Sequence, residues 1–358
     1  MTSRSSPPLR ARSVGSSRDQ HATTQGAQVN ICVYGAGAVG GHIAGRLAAG
    51  QAEVSLIARG QQLAAVRERG LRVETRDGEL ISHPVATDRP ADLDPQDIII
   101  VAVKAPALPA IAEHVGALLK PDGLALFVMN GIPWWYFHSH GGDLNGTRLE
   151  RLDPNGALWE HVGPERAVGA VAYTACSVLE AGVIRAENPR NRLILGRPDG
   201  QPDSRLDALA SLLTPTGLET SVTAEIRDAI WAKLMMNLIG GSLAVLTASP
   251  MKNVLNKPAA AGTAKAMAAE GAAIAKALGC EPGDPSEGLA KLSKSGHLQS
   301  IAQDLLAGRP MEIDAMLRVP LDLAQLAQVP TPNLDLVIEL ATQRARAAGQ
   351  YQDTSIEG

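Results

Sequence analysis

The sequence predicts an α/β protein in which an N-terminal doubly wound sheet is followed by a C-terminal all-helical domain. Short apolar runs alternate with helical stretches in the first part of the chain, at residues 29–34, 54–57, 98–103 and 124–129. Continuous apolar runs of this length are typical of parallel strands that are covered on both faces. After Pro202 the chain is predicted to be helical almost throughout, because Ala- and Leu-rich stretches alternate with clusters of Pro and Gly.

The chain has 358 residues, which is enough for two domains. We expect a disordered tail at residues 1–28, because this segment has too few large apolar side chains to offset the entropy of ordering it. We expect the sheet domain at residues 29–221 and the helical domain at residues 222–350.

Local patterns predict the elements within each domain. Asp77-Gly78, between alternating apolar residues, predicts a β-hairpin over residues 71–85. The β-rich pieces between residues 168 and 195 are predicted to be antiparallel strands that close the first domain. The longest helices are predicted at residues 223–246, 259–278 and 312–328.

Composition and charge exclude several classes of protein. A net charge of −4 argues against nucleic acid as the main partner, because neutralising phosphates requires an excess of Lys and Arg. No apolar run reaches the roughly 18 residues that a membrane span requires. Cys32, Cys176 and Cys280 are far apart and indicate neither a disulfide framework nor a metal site, so we expect a cytoplasmic protein without bound metal.

A glycine motif follows the first predicted strand and opens the first predicted helix. It reads Gly35-Ala-Gly37-Ala38-Val39-Gly40. Gly35 permits a tight turn, Gly37 lets backbone N–H groups approach a pyrophosphate, and Gly40 lets the helix pack closely on the strand. The start of the helix adds unpaired N–H groups and a positive dipole end. In this context the motif predicts a Rossmann-type dinucleotide site that includes Ala38 and Val39.

The end of the second predicted strand indicates which dinucleotide binds. An NAD site usually places Asp or Glu there to accept a hydrogen bond from the ribose 2′-hydroxyl. This chain has Arg59 instead, with no carboxylate until Glu68. Because a guanidinium binds a phosphate bidentately, the sequence predicts NADP(H) with Arg59 at the 2′-phosphate.

Lys233 and Asn237 are four residues apart in the long predicted helix, so they share one helix face. Trp231, Leu234 and Leu238 surround them in the sequence, and we therefore expect Lys233 to be partly desolvated. Taken alone, Lys233 is better interpreted as a lysine that extends along an amphipathic helix toward solvent.

Six short motifs in one order change that interpretation. They are Gly35-x-Gly-x-x-Gly40, Val103-Lys104-Ala105, Met129-Asn130-Gly131, Trp231-Ala-Lys233-x-x-x-Asn237, Ser300-x-x-Gln-Asp304 and Gly308-Arg-Pro-Met-Glu312-Ile-Asp314. Together they resemble the ketopantoate reductase family, and the resemblance extends from Val29 to about Ala348.

The resemblance implies NADPH-dependent reduction of a small 2-keto acid, with ketopantoate as the leading substrate. It implies that Lys104 and Asn130 line the cofactor side of the cleft, with Asn130 near the nicotinamide ribose or the substrate. It also implies that Asn237 and Ser300 donate hydrogen bonds to the substrate. A homodimer is left open.

By the same resemblance, Lys233 is the general acid, and Glu312 orients the substrate and pairs with the lysine. These residue types suit the chemistry, because hydride transfer to a keto carbon builds negative charge on the keto oxygen. A positioned ammonium stabilises that charge and supplies the proton. Burial lowers the pKa of a lysine toward neutrality, and the charge of Glu312 would oppose that shift.

Two departures from the family pattern affect the expected substrate end. The family commonly has a second Asn where this chain has Gly241, and the sequence leaves open whether Ser242 replaces it. A small Asn-Gly pair that usually follows Glu312-Ile-Asp is replaced by residues 315–318, Ala-Met-Leu-Arg. A different branched or bulky 2-keto acid is therefore the closest alternative substrate.

Two further functions compete with this one. A β-hydroxyacid dehydrogenase also joins a Rossmann domain to helices and uses a lysine, but Arg59 and the motifs around Ser300 and Glu312 argue against it. A non-catalytic NADP(H)-binding protein would have no need of Lys233 as a general acid.

The segment after Gly131 is unusually aromatic, with Trp-Trp-Tyr-Phe at residues 134–137. Residues 133–143 are interpreted either as a hydrophobic cluster or dimer contact, or as an aromatic lid over the nicotinamide. The sequence does not separate the two.

Overall fold

The computed structural model describes residues 29–353. The predicted tail at residues 1–28 lies outside the described residues, as do residues 354–358. The strands are β1 (Ile31–Tyr34), β2 (Val54–Ile57), β3 (Leu71–Thr75), β4 (Gly78–Ser82), β5 (Val85–Thr87), β6 (Gln96–Val101), β7 (Leu119–Val128), β8 (Ala167–Tyr173), β9 (Cys176–Glu180), β10 (Val183–Ala186), β11 (Asn191–Gly196) and β12 (Leu218–Val222).

The main sheet has eight strands in the order β12-β11-β8-β7-β6-β1-β2-β5. All neighbouring pairs are parallel except β8 and β11, which are antiparallel. Ile98 and Ile100 of β6 enter one hydrophobic core, whereas Ile99 and Val101 enter a second core on the opposite face. The continuous apolar run in β6 is therefore explained by burial on both faces, and the predicted α/β class is confirmed.

A second, four-stranded sheet has the order β4-β3-β10-β9. The predicted hairpin at Asp77-Gly78 joins β3 to β4, which pair antiparallel. The antiparallel pairing predicted for residues 168–195 is confirmed for β8 with β11 and for β9 with β10, but the two pairs belong to different sheets. After Tyr173 the chain leaves the main sheet, and β9 and β10 join β3 so that the small sheet covers the glycine-rich face of the first helix, where Gly41 and Gly45 abut Ile184 and Val73.

One strand lies in a stretch that the sequence predicted to be helical. Strand β12 pairs in parallel with β11 from Leu218 to Val222. The alternation Leu-Glu-Thr-Ser-Val places Leu218 and Thr220 inside, which is a strand pattern, but it is too short to stand out against the helical sequence around it.

The helices are α1 (Ala38–Ala49), α2 (Gly60–Arg69), α3 (Ala112–Leu118), α4 (Ala157–His161), α5 (Ser204–Leu213), α6 (Ile226–Thr247), α7 (Met251–Val254), α8 (Pro258–Ala277), α9 (Pro285–Lys294), α10 (Ser300–Leu306), α11 (Val319–Leu326) and α12 (Pro332–Ala347). The segment Asp314–Arg318 is a turn of π-helix that leads directly into α11. Helices α6 to α12 form the C-terminal helical domain.

Helix α6 is the central element of that domain. Of the helices described, it alone is long and apolar enough to cross a membrane by length and composition. In the most apolar stretch of this helix, 67% is buried inside the protein. Ile230, Leu234 and Leu238 belong to the main hydrophobic core. The apolar character of α6 is accounted for by this burial.

The aromatic segment is part of the core. Trp134, Trp135, Tyr136 and Phe137 are at most 1% exposed. Trp134 packs edge to face on Phe127 of β7, with ring centroids 5.5 Å apart. The structure therefore favours the hydrophobic cluster over the lid, and this cluster joins the sheet to α6.

A close backbone contact also joins the two domains after β7. The N–H of Ile132 donates to the carbonyl oxygen of Ala315 over 2.8 Å. The preceding residue, Gly131, has a φ of +84°, and a Cβ built on it would overlap the same carbonyl oxygen. The contact therefore requires glycine at this position for conformation and for space.

We predict that Gly131→Ala destabilises the protein by at least about 2 kcal/mol more than Gly141→Ala. Gly141 is a matched control, since its φ is +79° and its surroundings are open. Thermal and denaturant unfolding of both variants measures the difference. Equal destabilisation would mean that the backbone contact with Ala315 is dispensable.

Candidate active site

The glycine turn has the geometry of a dinucleotide cradle. Gly35 has a φ of +108°, and a Cβ on Gly40 would overlap the carbonyl oxygen of Gly35. Around Gly37, by contrast, an added Cβ would meet nothing within 4 Å. Two glycines therefore shape the turn and pack the helix, while the third leaves an open approach to the backbone.

Helix α1 begins directly after this open position. Gly37 is its N-cap residue, and its first turn has no acidic side chain and no side-chain cap. The N–H groups of Ala38 and Val39 therefore remain available at the positive end of a twelve-residue helix. This arrangement fits the pyrophosphate of a dinucleotide.

Arg59 follows β2 and is exposed at the N-cap of α2. It lies beside Tyr34, the last residue of β1, whose hydroxyl is buried. Burial raises the pKa of Tyr34, and the charge of Arg59 opposes that shift. The guanidinium therefore lies at the strand ends where the sequence places it.

Lys233 reaches from α6 to the carboxyl end of β8. Its Nζ donates to the carbonyl oxygen of Ala172 over 2.6 Å and lies 5.9 Å from the ring centroid of Tyr173. Burial lowers the pKa of Lys233 to about 8, and the charge of Glu312 opposes the shift. Both the protonated and the neutral form of the Lys233 amine are therefore populated near this pH.

Glu312 is buried between the two domains. Its carboxylate accepts hydrogen bonds from the N–H of Ala105 over 3.2 Å and from Nδ2 of Asn130 over 3.3 Å. Burial raises the pKa of Glu312, and both hydrogen bonds oppose that rise. The expected direct pair with Lys233 is not formed between the described side chains, because Lys233 donates to Ala172 and Glu312 is held by the loops after β6 and β7. The two charges interact at longer range.

Lys104, which the family resemblance places on the cofactor side of the cleft, contacts the helical domain. Its Nζ lies 2.7 Å from the carboxylate of Asp304 and donates to the carbonyl oxygen of Pro310 over 3.0 Å. Asp304 is buried and also pairs with Arg309. Lys104 therefore links the sheet domain to the helical domain, on the edge of the cleft.

Asn237 and Ser300 are the two predicted substrate donors. Asn237 is half-buried one turn beyond Lys233 on α6, and Ser300 is exposed at the first residue of α10. In residues 29–353 neither side chain makes a hydrogen bond, so both remain available to a ligand.

Ser242 does not replace the missing amide at position 241. It is fully buried, and its hydroxyl donates to the carbonyl oxygen of Leu238 over 2.6 Å. A Cβ on Gly241 would lie 3.2 Å from Ile301 and 3.7 Å from Met316. This end of the site is therefore apolar.

The residue that holds α6 against the sheet domain could not be predicted from the sequence. Arg227, in the first turn of α6, donates to the carbonyl oxygens of Tyr136 over 2.9 Å, Pro198 over 2.7 Å and His138 over 2.5 Å. One turn later, the indole N–H of Trp231 donates to the Tyr136 hydroxyl over 2.8 Å. An arginine in a helical first turn has no distinguishing sequence pattern.

We predict that Arg227→Met lowers the free energy of unfolding by about 3 kcal/mol, because three carbonyl oxygens lose their donor. The shift of α6 should also lower kcat. Arg166→Met is the matched control, since Arg166 donates to two carbonyl oxygens near its own position, those of Val162 and His161, which lie outside α6. Unfolding and turnover measured on both variants separate the two effects. If kcat fell equally in both, Arg227 would have no special part in placing α6.

Within the described residues no group of three or more His, Cys, Asp or Glu side chains could hold a metal ion. The residues described above supply one glycine cradle, one amine of lowered pKa, one buried carboxylate and several neutral donors. Such a set can bind a dinucleotide and transfer a proton to a developing oxyanion.

Comparison with known proteins agrees with this geometry. The models of the family described as ketopantoate reductase PanE/ApbA match residues 31–134 and, for its C-terminal part, residues 225–345. A 2-dehydropantoate 2-reductase from Mesorhizobium japonicum is 37% identical over 327 residues, which cover 90% of this chain and all of the relative. A second 2-dehydropantoate 2-reductase, from Halobacterium salinarum, is 26% identical over 80% of this chain and 89% of its own length.

Among solved structures, a candidate ketopantoate reductase from Ralstonia solanacearum superimposes with a TM-score of 0.84 at 34% identity, covering 91% of this chain and all of that one. The sequence, the order of its motifs and the fold are therefore similar to those of these proteins over about nine-tenths of the chain. This chain belongs to the ketopantoate reductase family.

Proposed function

We propose that this protein reduces 2-dehydropantoate to pantoate with NADPH, and that Lys233 is the general acid. The observation that carries the proposal is the position of the Lys233 amine. It lies at the carboxyl end of β8, with a pKa lowered to about 8 by burial and opposed by Glu312. Ligands of doubly wound sheets bind at this edge.

The cofactor fits the residues of the sheet domain, which we assign to residues 29–221. The open position at Gly37 and the N–H groups of Ala38 and Val39 suit the pyrophosphate. Arg59 suits the 2′-phosphate. When bound, NADPH supplies the hydride for the keto carbon.

The helical domain, which we assign to residues 222–350, contributes the proton and the substrate contacts. Lys233 donates its proton to the keto oxygen as negative charge develops there. Glu312 favours the charged form of the amine. Asn237 and Ser300 supply neutral donors for the substrate, and Asn130 is held toward the cleft by its bond to Glu312.

A different branched or bulky 2-keto acid is the second candidate substrate. It is favoured by the apolar side chains of Ile301 and Met316, which a side chain at position 241 would meet, and by the burial of Ser242. NADPH oxidation followed at 340 nm with a panel of 2-keto acids distinguishes the two. A protein that binds NADPH but turns over none of them would be a binding protein without this activity.

The partners follow from this proposal. We propose a small 2-keto acid substrate and a cytoplasmic location, in keeping with three unpaired cysteines, and no role for nucleic acid or membrane. A homodimer remains compatible with the fold.

We predict that Lys233→Ala lowers kcat by about 10²- to 10⁴-fold, because the proton donor is lost, while NADPH binding is unchanged. Turnover and fluorescence titration with NADPH measure the two quantities. Unchanged turnover would exclude Lys233 as the acid.

The activity should fall as the pH rises through about 8, because the free amine of Lys233 cannot donate a proton. Glu312→Gln removes the charge that raises the pKa of Lys233. In this variant the fall in activity should therefore begin at lower pH. The pH dependence of kcat in both proteins measures the shift. If kcat fell at the same pH in both proteins, Glu312 would not affect the pKa of Lys233.

We predict that Arg59→Ala raises the KM for NADPH at least about tenfold and changes the KM for NADH little, since only NADPH carries the 2′-phosphate. Steady-state kinetics with both cofactors measures the change. Equal losses for the two would contradict the role of Arg59.

A further inference from the structure

An arginine without a carboxylate partner lies beside Lys233. Arg192 is the second residue of β11 and stands directly opposite Tyr173 of β8 in the antiparallel pair. Side chains that are directly opposite in such a pair lie on the same face of the sheet. The Arg192 guanidinium carbon is 4.7 Å from the Tyr173 ring centroid, and Lys233 Nζ is 5.9 Å from it. Two cations therefore share one aromatic ring.

The donors of Arg192 are free. Arg192 is exposed, and across residues 29–353 its guanidinium makes neither an ion pair nor a hydrogen bond. Arg72 and Arg185, by comparison, both pair with Glu74. The contact with the Tyr173 ring uses none of the N–H donors of the guanidinium, so these donors remain available to bind a carboxylate.

The position of Arg192 excludes the cofactor phosphates as its ligand. In the order β11-β8-β7-β6-β1, four strand spacings separate β11 from β1 and the glycine turn. At about 4.8 Å per spacing, the pyrophosphate cradle lies roughly 19 Å away along the sheet. Lys233 is much closer, because it contacts Ala172 and the ring of Tyr173.

We propose that Arg192 binds the carboxylate of the 2-keto acid and is a specificity-determining residue of this enzyme. The inference rests on the proposed function, because it takes Lys233 as the partner of the keto oxygen. In a 2-keto acid the carboxylate is bonded to the keto carbon, so the proposal has one small molecule contact both cations around Tyr173. Arg192 then selects acids over neutral ketones, while Asn237 and Ser300 add uncharged donors.

Arg192 contacts the carboxylate both before and during the reaction, so its loss affects binding more than the chemical step. We expect Arg192→Met to raise the KM for the 2-keto acid roughly ten- to hundredfold, as for the loss of a charge-assisted hydrogen bond. The value of kcat should change less than about threefold, and the Kd for NADPH should not change.

Two controls isolate the interaction. Arg190→Met removes the same charge from an exposed arginine in the connection before β11, and should leave the KM unchanged. The methyl ester of the same keto acid has no carboxylate, so its KM should be the same in the wild type and in Arg192→Met. Tyr173→Phe keeps the ring and should preserve the KM, whereas Tyr173→Leu should raise it.

The proposal would be overturned by an unchanged KM in Arg192→Met, by an equal rise in Arg190→Met, or by a loss of NADPH affinity instead. Failure of the proposed function has a different signature, namely that the wild type turns over no 2-keto acid. In that case calorimetric binding of 2-dehydropantoate to the NADP⁺-loaded wild type and to Arg192→Met still tests Arg192. Equal affinities would reject it as a carboxylate ligand.

Discussion

The contact between the Lys233 amine and the carboxyl end of β8 is the constraint that the proposed chemistry sets on the fold. A lysine amine is costly to desolvate, and its pKa falls when it is buried without a direct counter-ion. Here the carbonyl oxygen of Ala172 takes one of its hydrogen bonds, and Glu312 acts at longer range. The pKa of the amine is thereby held near about 8, which suits the role of general acid proposed for it.

That contact depends on how firmly α6 is held against the sheet. The aromatic segment after β7 forms a hydrophobic core between the two. Arg227 donates to the carbonyl oxygens of Tyr136 and His138 in this segment and to that of Pro198 after β11. The hydrogen bond from the N–H of Ile132 to the carbonyl oxygen of Ala315 joins the two domains near Glu312. Apolar packing and a few directed hydrogen bonds thus set the distance between the glycine turn and the Lys233 amine.

The parts of the fold that depend on local periodicity could be predicted from the sequence. Continuous apolar runs predicted the parallel strands, Asp77-Gly78 predicted a hairpin, and the glycine motif predicted the turn before α1. The destination of each β-rich piece could not be predicted, because the residues of β9 and β10 carry no mark of the sheet that they join. The five-residue β12 was missed for a related reason, since its alternation is too short to outweigh a helical context.

The candidate site shows the same division. The spacing of Lys233 and Asn237 placed them on one helix face, but their surroundings come from distant segments. Lys104 pairs with Asp304, which lies 200 residues further along the chain. The hydroxyl of Ser242 donates to a backbone carbonyl oxygen of its own helix. Tertiary contacts of this kind also place Arg192 beside Tyr173, and no single-sequence pattern indicates them.

The π-helical turn at Asp314–Arg318 has a consequence for how this segment can vary. A π turn accommodates one residue more than an α-helical turn, and such turns are frequent at functional sites. Removing one residue here would restore α-helical winding and rotate the preceding residues by about 100° relative to α11. The carboxylate of Glu312 would then leave Ala105 and Asn130. The length of this segment is therefore constrained more tightly than its composition, and side-chain exchanges are easier to accommodate there than a deletion.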